Sequence, residues 1–324
     1  MLRRRDLGIL ASLAAGAAPL GAQAQPAWPD RQLRWMVGYP PGGASDIFAR
    51  LLGRQISARI NQPVVVENRP SGGAIVATEA VIRAPADGYT VLHVDNGVMV
   101  YNPALYARLP FDPDRDLINV GFIGRFPLLL LVRGESPIQN FADILAASRT
   151  RAVTYATPAV ASPHHMAMEV LKRRSGLQAT HVPYRGMPAV MQDLLSGQVD
   201  CAIADVTNAT PFLADRRARG LVVLGEMRTP RAPDTPTGLE LGLPGTVAYG
   251  WQGLAVAAGT PAPIVARLSE LLNEAIQTPE AVRQFNDTGA EPVLRNPAQM
   301  AEFVREENAI WRPLIRELGI RLDS

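Results

Sequence analysis

Three features of the sequence predict an α/β fold. Apolar runs of strand length recur with little polar alternation, helical stripes of apolar residues lie between them, and the two kinds of segment alternate along the chain. Strands that are apolar on both faces suit parallel sheets covered by helices. Strand and helix in alternation are the mark of α/β domains with mainly parallel sheets.

Taken in order, the strands are "LRWMVG" (33–38), "VVV" (64–66), "TVLHV" (90–94), "LLLLV" (128–132), "VTYA" (153–156), "VDCAIA" (199–204), "LVVLG" (221–225) and "LAVAA" (254–258). Eight strands in a chain of this length predict two sheets rather than one. The first helix follows Asp46, with Ile47, Phe48, Leu51, Leu52, Ile56 and Ile60 on one stripe. "SPHHMAMEVLKRR", "MPAVMQDLLSG" and "APIVARLSELLNEAIQ" read the same way, the second stopping at Gly197. A last helix from Asn296 or Pro297 sets Met300, Phe303, Val304, Trp311, Leu314, Ile315 and Leu318 on one side.

The N-terminus belongs to another category. "MLRRRDLG" is basic, "ILASLAAGAAPLG" is a short apolar stretch, and "AQA" ends at Ala24. That order predicts an export signal over residues 1–24, by the general or the twin-arginine route. The apolar stretch is too short to span a bilayer core of about 30 Å. Removing Arg3, Arg4, Arg5 and Asp6 takes the 32 basic residues to 29 and the 30 acidic residues to 29. A neutral mature chain gives no support to a nucleic-acid or membrane-surface role. Cys201, the single cysteine, is flanked by apolar residues and is expected to be buried.

Between the first strand and its helix lies "GYPPGGAS". It lacks the lysine of a P-loop and the spacing of a dinucleotide fingerprint, and the chain contains no GxSxG. An anion cradle remains, in which Gly42 and Gly43 let the backbone approach a ligand and the helix start favours negative charge. Asp46 either caps that helix or holds the loop. His164 and His165 are adjacent and diverge by about 100° on a helix, a poor metal pair. His93 reads as a core histidine, and His181 opens a turn-like segment. No catalytic set, metal cluster or cofactor motif can be assembled.

With these segments in view, the chain resembles the periplasmic solute-binding proteins of tripartite tricarboxylate transporters, the Bug proteins. The resemblance is carried by "YPPGGASDIFARLL", "QPVVVENRPSGGAIVATEAVIRAPADGYTVL", "NPALYARLPFDPDRDLINV", "HVPYRGMPAVMQDLLSGQVD", "WQGLAVAAGTPAPIV" and "WRPLIRELGIRLD". It implies a two-domain Venus-flytrap protein of type II, with each domain a mainly parallel sheet flanked by helices. Domain 1 is 26–127 plus 246–324, domain 2 is 128–245, and the ligand cleft lies between them. It further implies a monomer in the periplasm that uses no cofactor. Such a protein captures a small carboxylate and delivers it to membrane transporter subunits.

The resemblance marks Tyr39, Pro41, Gly42, Gly43 and Asp46 in the first binding loop, and Ser71, Gly72 and Gly73 in the second. In the third it marks Thr157, Ala159, Ser162 and His165, and beyond a later strand Asp205. Ala159 and Ala161 stand where the family has glycines, so the third loop is expected to be stiffer and its wall more apolar. No arginine is plainly placed in these loops. The anion is therefore expected on backbone N–H groups, helix N-termini and ordered water. Two alternatives share the fold class: a secreted α/β hydrolase using His165 with Asp205, and an orphan ligand sensor. The exported protein is expected to begin near Gln25, and N-terminal sequencing that returns Met1 would contradict the signal.

Overall fold

The computed structural model describes residues 28–160 and 162–322. The export signal expected at residues 1–24 lies outside them. The described residues form ten strands: β1 (Leu33–Val37), β2 (Val64–Asn68), β3 (Thr90–Asp95), β4 (Leu117–Arg133), β5 (Thr154–Thr157), β6 (Thr180–Pro183), β7 (Cys201–Asp205), β8 (Ala218–Val223), β9 (Tyr249–Ala257) and β10 (Glu291–Pro292). Among the described residues, no helix is long and apolar enough to cross a membrane.

Strand β4 organises them. From Leu117 to Pro127 it pairs antiparallel with β9, and from Leu128 onward with β7 on one side and β8 on the other. The change of partners falls at Pro127, whose missing N–H is least needed where one ladder ends. In the first sheet β2, β1 and β3 are parallel, β9 opposes β3 and β4 opposes β9. It follows that β4 runs with β1–β3. In the second sheet β6, β5 and β7 are parallel, and β4 opposes both β7 and β8. Apart from the two-residue edge strand β10, each sheet is thus parallel but for one strand, as the apolar runs predict.

The helices form where periodicity and caps agree. The helix Met187–Ser196 ends at Gly197 in the left-handed region, with φ 77°. The helix Pro297–Leu318 opens on a capping box of Asn296 and Gln299 and buries Met300, Val304, Trp311 and Ile315. Cys201 and His93 are buried. Burial raises the thiol pKa and lowers that of His93 to about 4.

Two strand expectations are corrected. "LINVGFIGRF" belongs to β4, which begins at Leu117 rather than at Leu128. Its glycines obscure the apolar run yet serve packing, since a Cβ on Gly124 would lie 2.7 Å from the Glu291 carbonyl oxygen. "THVP", read as turn-like, is the edge strand β6. Four residues of mixed polarity on an edge give little pattern to find.

Leu128, Leu129, Leu130, Leu131 and Val132 are fully enclosed. Replacing one such leucine by alanine removes apolar burial and leaves a cavity. Leu130→Ala is expected to lower unfolding free energy by about 2–5 kcal/mol in urea titration. A loss below about 1 kcal/mol would show that the shared strand is not the core's centre.

Candidate ligand-binding site

The C-terminal ends of β1, β3, β5 and β7 all open onto the gap between the two sheets, where open α/β sheets hold ligands. An inner chamber of about 50 Å³ lies there, with an outer vestibule of about 430 Å³ beside it. Tyr39, Pro40, Pro158 and Gly186 border both.

Four helices start at the chamber: Ala44–Ile60 from the first half, and Pro163–Ser175, Met187–Ser196 and Val206–Ala214 from the second. Two are capped by side chains. Ser162 Oγ accepts from the His165 N–H, and Asp205 Oδ1 accepts from the Asn208 N–H. The helices at Ala44 and Met187 have no side-chain cap and leave N–H donors for a ligand. Phe126 and Trp251 supply an apolar wall.

The opening loop is tied down by Asp46. Its carboxylate accepts from the Gly42 N–H at 3.0 Å, Arg50 Nε at 3.0 Å and Asn68 Nδ2 at 2.9 Å. Burial alone would raise its pKa, but these donors hold it below the usual carboxylate range. Asp46 thus holds the loop and does not line the chamber. Of the two glycines only Gly42 needs to be one, with φ +86°; Gly43 is extended at φ −82° and lines the chamber. In the second loop Ser71 and Gly72 line the vestibule, while Gly73 is buried and accepts from Asn102 Nδ2. Ala74 adopts φ +56°, a left-handed conformation that disfavours any residue with a Cβ.

In the third loop Ser162 lines the chamber and Ala159 the vestibule. Thr157 is fully buried, donating to the Ala159 carbonyl at 3.0 Å and lying 2.7 Å from His181 Nε2. His165 lines neither cavity, which corrects the expectation for it. Its ring stacks on His181 at 4.0 Å, and His181 stacks on Tyr155 at 4.8 Å. The neighbouring His164 faces the chamber instead, with Nε2 3.4 Å from Asp205 Oδ2. Burial would raise the Asp205 pKa, but His164 and Asn208 hold it low.

The structure therefore brings Tyr39, Gly43, Ser162 and Asp205 to the chamber, and Ser71, Gly72 and Ala159 to the vestibule. Pro41, Gly42, Asp46, Gly73, Thr157 and His165 support the loops without lining either space. Sequence reading missed Ser45, Asp95, His164, Asn208 and Gln252, which line the chamber, and Arg185, which lines the vestibule. A signal existed for Asp95, since it ends β3 as the opening loop ends β1.

A two-sheet molecule with its loops gathered around an enclosed cleft is the architecture of a solute-binding protein. The family model described as "Tripartite tricarboxylate transporter family receptor" matches residues 48–320, and the chain belongs to this family. The UPF0065 protein in the tcbD–tcbE intergenic region of Pseudomonas sp. (strain P51) is 35% identical over 99% of this chain and 96% of its own. Among solved structures, R. palustris Rpa4515 with adipate is similar at TM-score 0.87 and 31% identity, covering 91% of this chain and 100% of that one. MatC from Rhodopseudomonas palustris with bound malate is similar at TM-score 0.84 and 30% identity, covering 89% and 99%. Proteins of this family are periplasmic receptors rather than enzymes, and so is this chain.

The histidines set an acid limit on the fold. Burial lowers the pKa of His93 and His165 to about 4 and that of His181 to about 3. Unfolded, each would take a proton near pH 6.5, so the unfolded state binds more protons as pH falls. Stability is therefore full above about pH 6.5 and declines toward pH 4. Melting temperature is expected to drop across that window, with a shallower slope in His165→Gln; an unchanged slope would contradict the burial of this ring.

Proposed function

We propose that the cleft captures a small carboxylate, held mainly by the N–H groups that open the helices at Ala44 and Met187. The observation that carries this reading is that these two uncapped helix starts face one chamber from opposite halves. Each contributes about half a positive charge at its N-terminus. Adipate and malate in the two R. palustris structures support the assignment. Arg50 and Arg69 are engaged by Asp46 and Glu67. Arg185, by contrast, stands in the vestibule wall without a hydrogen-bond or ion-pair partner among the described residues, and serves the outer end of the ligand.

Residues 26–127 plus 246–324 form one body and 128–245 the other, and they close over the ligand. The partner change in β4 at Pro127 supports the first boundary. The second is supported near Ala248, which donates to the Leu224 carbonyl just before β9 begins. The closed, loaded protein acts as a monomer and presents its solute to the membrane subunits of a tripartite transporter.

Because ligand binds the folded state alone, it raises stability by about 2.7 kcal/mol at a hundredfold excess over Kd. A thermal-shift screen is expected to give its largest upward shifts with small carboxylates. Stabilisation by sugars, phosphate esters or cations, with none by any carboxylate, would overturn the assignment.

A further inference from the structure

The chamber sets two buried carboxyl groups beside the open helix starts. Asp205 is 2% exposed and Asp95 is 6% exposed, and both line it. Asp205 is answered within its own half by His164, the Asn208 N–H and Asn208 Nδ2. Asp95, like Asp205, meets only neutral donors once His164 carries a single proton on Nε2. The Asp95 Oδ2 accepts from the Tyr39 hydroxyl at 2.6 Å and its Oδ1 from the Val98 N–H at 3.0 Å, with the Gly97 N–H also directed at the carboxylate; all three are neutral donors, and Asp95 has no ion-pair partner among the described residues.

A second observation points the same way. His164 is 7% exposed and lines the chamber, and its Nδ1 has no hydrogen-bond partner. With Nε2 carrying its proton toward Asp205, Nδ1 presents a lone pair. Buried acceptors that lack partners are costly, and they are normally satisfied by a donor. The acceptors that the chamber offers a ligand's donors are thus the Asp95 carboxylate, which has only neutral partners, and two groups without a hydrogen-bond partner, His164 Nδ1 and Gln252 Oε1.

We infer that the solute is an amino carboxylate, whose protonated amine sits against Asp95 and His164 Nδ1 while its carboxylate lies on the N–H groups at Ala44 and Met187. The inference rests on the carboxylate reading above and narrows it. An ammonium group offers three donors and one positive charge, which supplies what Asp95 lacks. The two uncapped helix starts together offer about one positive charge, matched to one carboxylate. At about 50 Å³ the chamber has room for a small head group, and the vestibule, with Arg185 at its wall, takes the remainder. A ligand without the amine would set its carboxylate on the helix starts and leave Asp95 facing it with no positive group between them.

The test uses matched pairs that differ only by the amine: glutarate with glutamate, adipate with 2-aminoadipate, and 3-phenylpropionate with phenylalanine. Binding of each to the mature protein is measured by titration calorimetry at pH 7.5. In the pair that binds best, the amino member is expected to bind at least tenfold more tightly than its plain partner. Asp95→Asn, which keeps an acceptor for Val98, is expected to shrink that ratio at least tenfold. A plain carboxylate that matches or exceeds its amino partner in the wild-type protein would overturn the inference and leave the carboxylate reading standing. If no member of any pair binds, while a sugar, phosphate or cation does, both readings fall together.

Discussion

Everything in this fold depends on one strand serving two sheets. Because β4 pairs with β9 before Pro127 and with β7 and β8 after it, the sheets cannot drift apart or choose another register independently. The carboxyl ends of β1 and β3 are thereby set opposite those of β5 and β7. The loops that follow them converge on one space, although they lie far apart in the chain. The enclosed Leu128–Val132 segment provides the apolar burial that makes this placement firm, at about 1.5–3 kcal/mol per side chain.

On that frame the polar groups divide into those that build and those that face the cleft. Asp46, Asn68 and Arg50 form a knot behind the first loop, and Thr157, His181 and His165 form one behind the third. The first knot leaves the adjoining helix start at Ala44 without a side-chain cap, whereas the helix after the third loop is capped by Ser162. The cleft itself sets helix N-termini against buried carboxylates. Asp95 shows the tension most clearly. Burial raises its pKa, and the hydrogen bonds from the Tyr39 hydroxyl and the Val98 N–H offset that only in part.

Much of the architecture was legible from the chain because burial leaves periodic traces. The apolar runs marked β1, β3, β5 and β7, and the loop after β1 was recognisable from its prolines and glycines. What escaped was whatever breaks a pattern for a packing reason, such as Gly121 and Gly124 within β4, or whatever is too short to make one, such as β6. The site was half legible. Tyr39, Gly43, Ser162 and Asp205 come from motifs that can be read in a line. Asp95 and Gln252 come together on the chamber wall only through the β3–β9 ladder, which pairs them directly. His164 and His165 show the limit of sequence reading most sharply: one residue of helix rotation sends one ring to the chamber and the other to a stack.

Where the halves meet over the chamber, the contact is a proline ring on bare backbone. A Cβ on Gly186, which sits at φ +116°, would lie 2.9 Å from Pro40 Cγ, and one on Gly42 would lie 3.7 Å from Pro188 Cγ. Rigid rings and glycine backbone have almost no rotamer freedom to lose when they touch. They also carry no charge that must be rehydrated when they part. For the opening and closing proposed above, such a seam has little stickiness and little hysteresis. At this seam, then, only the solute's own grip on the chamber walls would hold the doorway shut, and the doorway keeps no memory of the last guest.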